Sequence, residues 1–67
     1  MKKNKVKEYR KKKNLSQFDL ARLSNVDPSN LSKIENEKII VYPGWKERIS
    51  KALNEDVKTL FPEEGDD

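Results

Sequence analysis

Four side chains in one short run, Ser29, Asn30, Ser32 and Lys33, have the chemistry to read the edges of base pairs. A lysine donates to guanine O6 and N7, an asparagine pairs bidentately with adenine N6 and N7, and a serine bonds either kind of edge. Pro28, just before them, has no donor, but its ring can touch a thymine methyl. Other chemistry is thinly supplied. The chain has no histidine and no cysteine. That removes the usual general base, the commonest metal ligand, thiolate sites and disulfides. Ser, Asp and Glu alone form no recognisable catalytic constellation here, so neither an enzyme nor a metal or cofactor site is expected.

Positioning these side chains falls to the stretch 16–36, SQFDLARLSNVDPSNLSKIEN. Ser16 and Asp19 have capping-box spacing, with Asp in place of the usual Glu or Gln. A helix from Gln17 to Ser24 should follow, with Leu20, Ala21 and Leu23 inward and Phe18 on the exposed side. Asn25 is placed for the left-handed conformation of a tight reversal, and Val26 to plug the angle. Asp27-Pro28 predicts a second helix start, Asp capping and Pro at the first turn. That helix runs to Glu35 or Asn36, with Leu31 and Ile34 inward.

The remaining elements are short. Lys2–Lys13 reads as a helix with Val6 and Tyr9 on one stripe, ended by Asn14. Glu37–Tyr42 holds three adjacent β-branched residues, Ile39, Ile40 and Val41. This run is either an extended segment lying over the core or an exposed patch. Pro43-Gly44 breaks the chain. Trp45–Leu53 is helical, with Trp45, Ile49, Ala52 and Leu53 on one face and Asn54 at its end. Asp56 caps a last helix to Phe61, and Pro62 stops it. The fold class is therefore all-α: five short helices, with one domain over 1–61 and an acidic, disordered tail over 62–67.

Composition sets the bounds. At 67 residues, 33% apolar and 40% charged, the chain has one small core under a very polar surface; a chain this short buries only ~60% of its unfolded surface. The net charge is +3. It is unevenly spread: Lys2 to Lys13 holds eight Lys or Arg against the single Glu8, and four acids lie beyond Pro62, so the body without them carries +7. A polyanion partner fits that asymmetry, although a basic run is also an ordinary solvated face. No apolar run nears the ~20 residues of a membrane span. The basic start has no apolar segment behind it, so no signal peptide is expected and a cytoplasmic location is.

Three blocks, VKEYRKKKNLSQFDLA, NVDPSNLSKIEN and RISKALNEDVKTLF, together resemble the Cro and phage-repressor class of helix-turn-helix domains, also called the xenobiotic-response-element class. The resemblance runs from about Val6 to Phe61 and implies a lambda-repressor-like fold. It implies that Gln17 bonds a DNA phosphate and braces the recognition helix. It implies that Pro28, Ser29, Asn30, Lys33 and, least strongly, Ser32 meet base edges. Asn36, Lys38 and the helix start at Gly44, Trp45 and Lys46 are implied phosphate contacts, and Arg10 and Glu35 a structural ion pair. Glu37 stands where the family often has Gly, and the loop before Trp45 is longer than usual.

The expected function is sequence-specific binding of double-stranded DNA, as a repressor acting as a homodimer on a near-palindromic operator, with no small-molecule effector evident. The dimer surface would be the last helix with Phe61, or the Ile39–Val41 loop. The alternative is a protein-interaction module, antitoxin-like or anti-repressor, on the same frame. Each site residue also has an ordinary reading: Ser and Asn favour helix starts, Gln17 and Lys33 are at home in solvent, and Trp45 suits a core.

Overall fold

The computed structural model describes residues 4–62, and five helices form within them. They are α1 (Val6–Lys12), α2 (Gln17–Ser24), α3 (Pro28–Glu35), α4 (Pro43–Leu53) and α5 (Val57–Leu60). The chain class is all-α, as the sequence predicts; no strand occurs among the described residues. Lys2, Lys3 and the tail acids 63–67 lie outside the described residues, so the expectations placed on them are not addressed there.

Helix α1 starts at Val6, later than the composition suggests, because Asn4 acts as a stop. Its Oδ1 accepts the Val6 N–H at 3.1 Å, while its Nδ2 donates to the Ile34 carbonyl at 2.8 Å. Helix α2 carries the predicted capping box. The Asp19 N–H donates to Ser16 Oγ at 3.0 Å, and the Ser16 N–H donates to Asp19 Oδ2 at 3.0 Å. The other two predicted acidic caps fail. Asp27 and Asp56 sit at the N-cap positions of α3 and α5, but neither side chain makes a capping bond. Pro28 and Pro43 at the starts of α3 and α4 supply the fixed φ instead. Pro43-Gly44 is therefore not a break but the first turn of α4.

The first four helices all stop in the same way. A residue with left-handed backbone follows each: Asn14 (φ 59°), Asn25 (59°), Glu37 (60°) and Asn54 (57°). The next N–H then reaches back to the last turn, from Leu15 to Arg10 (3.1 Å), Val26 to Ala21 (3.1 Å), Lys38 to Lys33 (2.8 Å) and Glu55 to Ser50 (3.1 Å). These bonds close Schellman motifs and satisfy carbonyls that a helix end leaves bare.

The core is Val6, Leu20, Ala21, Val26, Leu31, Ile34, Ile49, Leu53, Leu60 and Phe61. Helix α4 packs against α2, α1 and α5, and α2 also packs against α3. The small Ala21 lies on the buried side of α2. Leu23 does not; it is 55% exposed, and Ser24 is buried in its place. The helix turns about 100° per residue, so Leu20, Ala21 and Ser24 share one face and Leu23 falls at its edge. Ser24 satisfies its hydroxyl by donating to the Leu20 carbonyl at 2.7 Å. Between α3 and α4 the chain turns at Asn36 and Glu37, bends at Ile39 and forms no strand. The run covers the core with Ile39 and Val41 and exposes Ile40 and Tyr42. The Lys5 N–H donates to the Leu60 carbonyl at 2.7 Å, which ties the start of α1 to α5.

Candidate nucleic-acid interface

Helix α3 buries Leu31, Ile34 and Glu35 and turns its other side outward. Ser29 and Lys33 are exposed, and Pro28, Asn30 and Ser32 are half-buried. Ser29 and Lys33 are four residues apart, and Asn30 and Lys33 three, so these side chains share a face. Lys33 pairs with no acid among the described residues. Ser32 is differently placed: its carbonyl accepts the Asn36 side-chain N–H at 2.9 Å. Asn36 is thus folded back onto its own helix in the free protein.

What fixes α3 in place is a small polar network. Arg10 Nε donates to Glu35 Oε2 at 2.8 Å, and a second guanidinium N–H donates to Oε1 at 3.2 Å. This is the bidentate geometry in which Arg and carboxylate match best. The remaining guanidinium arm donates to the Leu15 carbonyl at 2.9 Å. Gln17 Nε2 donates to Glu35 Oε1 at 3.1 Å. One carboxylate of α3 therefore receives α1 and the first residue of α2 together. Its side chain is 1% exposed and that of Arg10 10%. The sequence-predicted pair is present, and Gln17 braces α3 beside it.

Two helix starts were candidates for phosphate. At α2 the capping box occupies the Asp19 N–H and sets a carboxylate there. The Ser16 backbone N–H, then the Ser16 side-chain bond, and more weakly Arg22, hold the Asp19 carboxyl below its ordinary value. That start carries its own anion. At α4 the situation differs. Tyr42 provides no side-chain cap, Pro43 has no N–H, and the first backbone bond is from Lys46 to the Tyr42 carbonyl at 3.0 Å. The N–H groups of Gly44 and Trp45 fall in the first turn, where no helical acceptor exists. A Cβ on Gly44 would meet nothing within 4 Å, so the free fold does not need glycine there. Trp45 is half-buried and packs edge-on to Tyr42 at 5.5 Å. Lys46 lies over the Phe61 ring at 5.4 Å. Lys38 is exposed just past the end of α3.

Two supports escaped the sequence reading. Arg48 of α4 donates to the Asn25 carbonyl at 3.0 Å, bracing the turn between α2 and α3. The Asn4 backbone N–H donates to Glu37 Oε2 at 2.6 Å, joining the chain before α1 to the end of α3. Neither follows a short-range spacing, so no local signal could have found them. Among the described residues no helix is long and apolar enough to cross a membrane, and no group of acids is arranged to hold a metal ion. Residues 4–65 match the family model described as a helix-turn-helix domain. No curated protein matches the chain.

Proposed function

The chain belongs to this helix-turn-helix domain family, and from that premise we propose that it is a sequence-specific DNA-binding regulator. We take it to act as a repressor, as a homodimer on a near-palindromic operator. The observation that carries the reading is the outward face of α3, where Ser29, Asn30 and Lys33 stand together on a helix fixed from behind by Arg10, Glu35 and Gln17. A reader of base edges needs such rigidity, because a bidentate contact tolerates little displacement. Lys33, Asn30 and Ser29 read bases, with Pro28 and Ser32 at the margins. Lys38, Lys46, the start of α4 at Gly44 and Trp45, and the free amide atoms of Gln17 hold phosphates. Asn36 joins them once it releases the Ser32 carbonyl. One such helix reads few base pairs, and a second copy one turn of DNA away, ~34 Å, supplies the rest. The exposed Ile40 and Tyr42 suit either a dimer contact or a protein partner, and they are what favours the second reading, an adaptor for another protein.

Two measurements test the proposal. Binding through several phosphates weakens steeply between 50 and 200 mM salt; a flat response would favour the protein partner. On a sequence selected from a random DNA pool, Lys33→Ala should cost ~1–3 kcal/mol at its own base pair and relax the preference there. Gln17→Ala should weaken all sequences alike. Equal behaviour of the two variants would remove the division between reader and clamp.

A further inference from the structure

Phe18 has no part in the fold or in the base reading proposed above. It is the second residue of α2 and is 72% exposed. It is not among the apolar residues that pack on the core. A cleft in the corner between α2 and the start of α3 is lined by Phe18, Arg22, Asp27 and Pro28, over a buried floor of Ala21 and Val26. Phe18 and Pro28 therefore bring two apolar rings to one cleft from two helices. Both adjoin the proposed interface. Phe18 follows Gln17, whose amide reaches Glu35 of α3, and Pro28 precedes Ser29 on the outward face of that helix. The charges of the cleft do not suit a phosphate. Arg22 is paired with Asp19 at 3.6 Å. The Asp27 carboxylate makes no capping bond and pairs with no cation among the described residues, so it repels an anion. An apolar group is what remains to fill the cleft, and on the base edges of the major groove that group is the thymine C5 methyl. We propose that Phe18 and Pro28 together receive the C5 methyl of one thymine, which makes Phe18 a specificity-determining residue outside α3. The inference rests on the DNA-binding reading and adds to it a base reader carried by α2.

The test uses the full chain and the duplex it selects from a random pool, with each thymine replaced singly by uracil. Uracil pairs as thymine does and lacks only the methyl. Burying one such group is worth about fourfold in affinity, so one replacement should weaken binding of the parent by about that factor. Phe18→Ala should bind the thymine duplex less well and feel that replacement no more than any other; Phe18→Leu, still apolar, should keep part of the preference. Phe18 is exposed, so both variants should fold, and an unchanged urea midpoint checks this. The dependence of log K on log[salt] should keep the parent's slope in Phe18→Ala, because no phosphate contact is lost; a shallower slope would place Phe18 at the DNA backbone and overturn the inference. If a duplex is selected and bound, yet no uracil is felt more by the parent than by Phe18→Ala, the inference fails and the DNA-binding reading stands. If no duplex is enriched at any salt, both fail. A change in sedimentation of the DNA-free protein on Phe18→Ala would make the cleft a contact between copies of the chain, and that too would overturn the inference.

Discussion

The Glu35 carboxylate is the place to perturb the fold. It accepts two N–H groups from Arg10 and one from Gln17, inside a site where its side chain is 1% exposed. Glu35→Gln keeps the shape and deletes the charge. The amide oxygen can take the place of Oε1 and accept from both Arg10 and Gln17, but the new NH2 then faces the Arg10 Nε–H where Oε2 accepted it. Arg10 is left as a buried charge without a counter-charge. Removing one partner of a buried pair typically costs ~3–5 kcal/mol. At ~0.05–0.15 kcal/mol per residue, the 67 residues hold roughly 3–10 kcal/mol in all, so the variant should stand at the edge of unfolding. With a urea m-value of ~1 kcal/mol/M for so small a domain, the midpoint should fall by ~3 M or more. The titration is therefore run from a stabilising osmolyte, which restores a folded baseline. Arg10→Met with Glu35→Leu removes both charges together. It should regain most of the loss, falling short by ~1–2 kcal/mol because the Leu15 carbonyl loses its donor. A Glu35→Gln loss below ~1 kcal/mol, or a double variant no better than the single, would refute the account of a desolvated pair.

Other outcomes follow from the helix ends and the exposed leucine. Ser16→Ala removes the hydroxyl that accepts the Asp19 N–H and should cost about 1 kcal/mol in a urea titration. Asp19 has a folded carboxyl value below its unfolded one, so its contribution is present above the unfolded value and is lost as pH falls through the folded one. Asp19→Asn should thus be less stable than the parent at pH 7, and the gap should close once the pH is well below 3.8. Glu37→Gly relieves a left-handed residue at φ 60° and removes a carboxylate from the negative end of α3, against an exposed bond to Asn4. The net should be a gain of about half a kcal/mol by denaturation, and a loss would mean the Asn4 bond outweighs the strain. Leu23→Gln should change the unfolding free energy by under ~0.5 kcal/mol in a urea titration, where Leu20→Ala costs ~2–5 kcal/mol.

Much of this frame is legible in the residues, because it is local. Asn14, Asn25 and Asn54 announce the helix ends, since asparagine tolerates the left-handed backbone that a Schellman closure needs. The capping box and the two prolines announce the starts. What misled was locality as well. Leu23 has the right type for a core, but only the packing of α2 on α4 decides which 100° step faces inward, and it chose Ser24. Asp27 and Asp56 have the right type for caps, yet with Pro28 already removing one donor the α3 start gains less from a side-chain oxygen. Glu37 was legible as an oddity and not as a left-handed residue. For the interface, periodicity orders Ser29, Asn30 and Lys33 onto one face, whereas the Arg48–Asn25 and Asn4–Glu37 bonds join parts of the chain that no short-range pattern links.

Gln17 shows how fold and proposed readout share atoms. A glutamine amide has two N–H groups and an oxygen with two lone pairs. One N–H is committed to Glu35, so the second and the oxygen remain for solvent or for a ligand. Bracing and the proposed clamping are therefore compatible in one side chain, and in that proposal the phosphate bond would come from the N–H that Glu35 leaves unused. The same inventory constrains α2. Its capping box already sets the Asp19 carboxylate at the helix start, so the backbone there is a poorer phosphate site than the start of α4, where Gly44 and Trp45 have no side-chain cap before them. In the proposed interface a phosphate near α2 would be held by the Gln17 side chain, and one near α4 by backbone N–H groups with Lys46 beside them. Gln17→Ala should remove the first contact with no change in salt slope, because the amide is uncharged; Lys46→Met should lower the slope by about 0.9. That contrast separates a neutral clamp from a cationic one on the same interface.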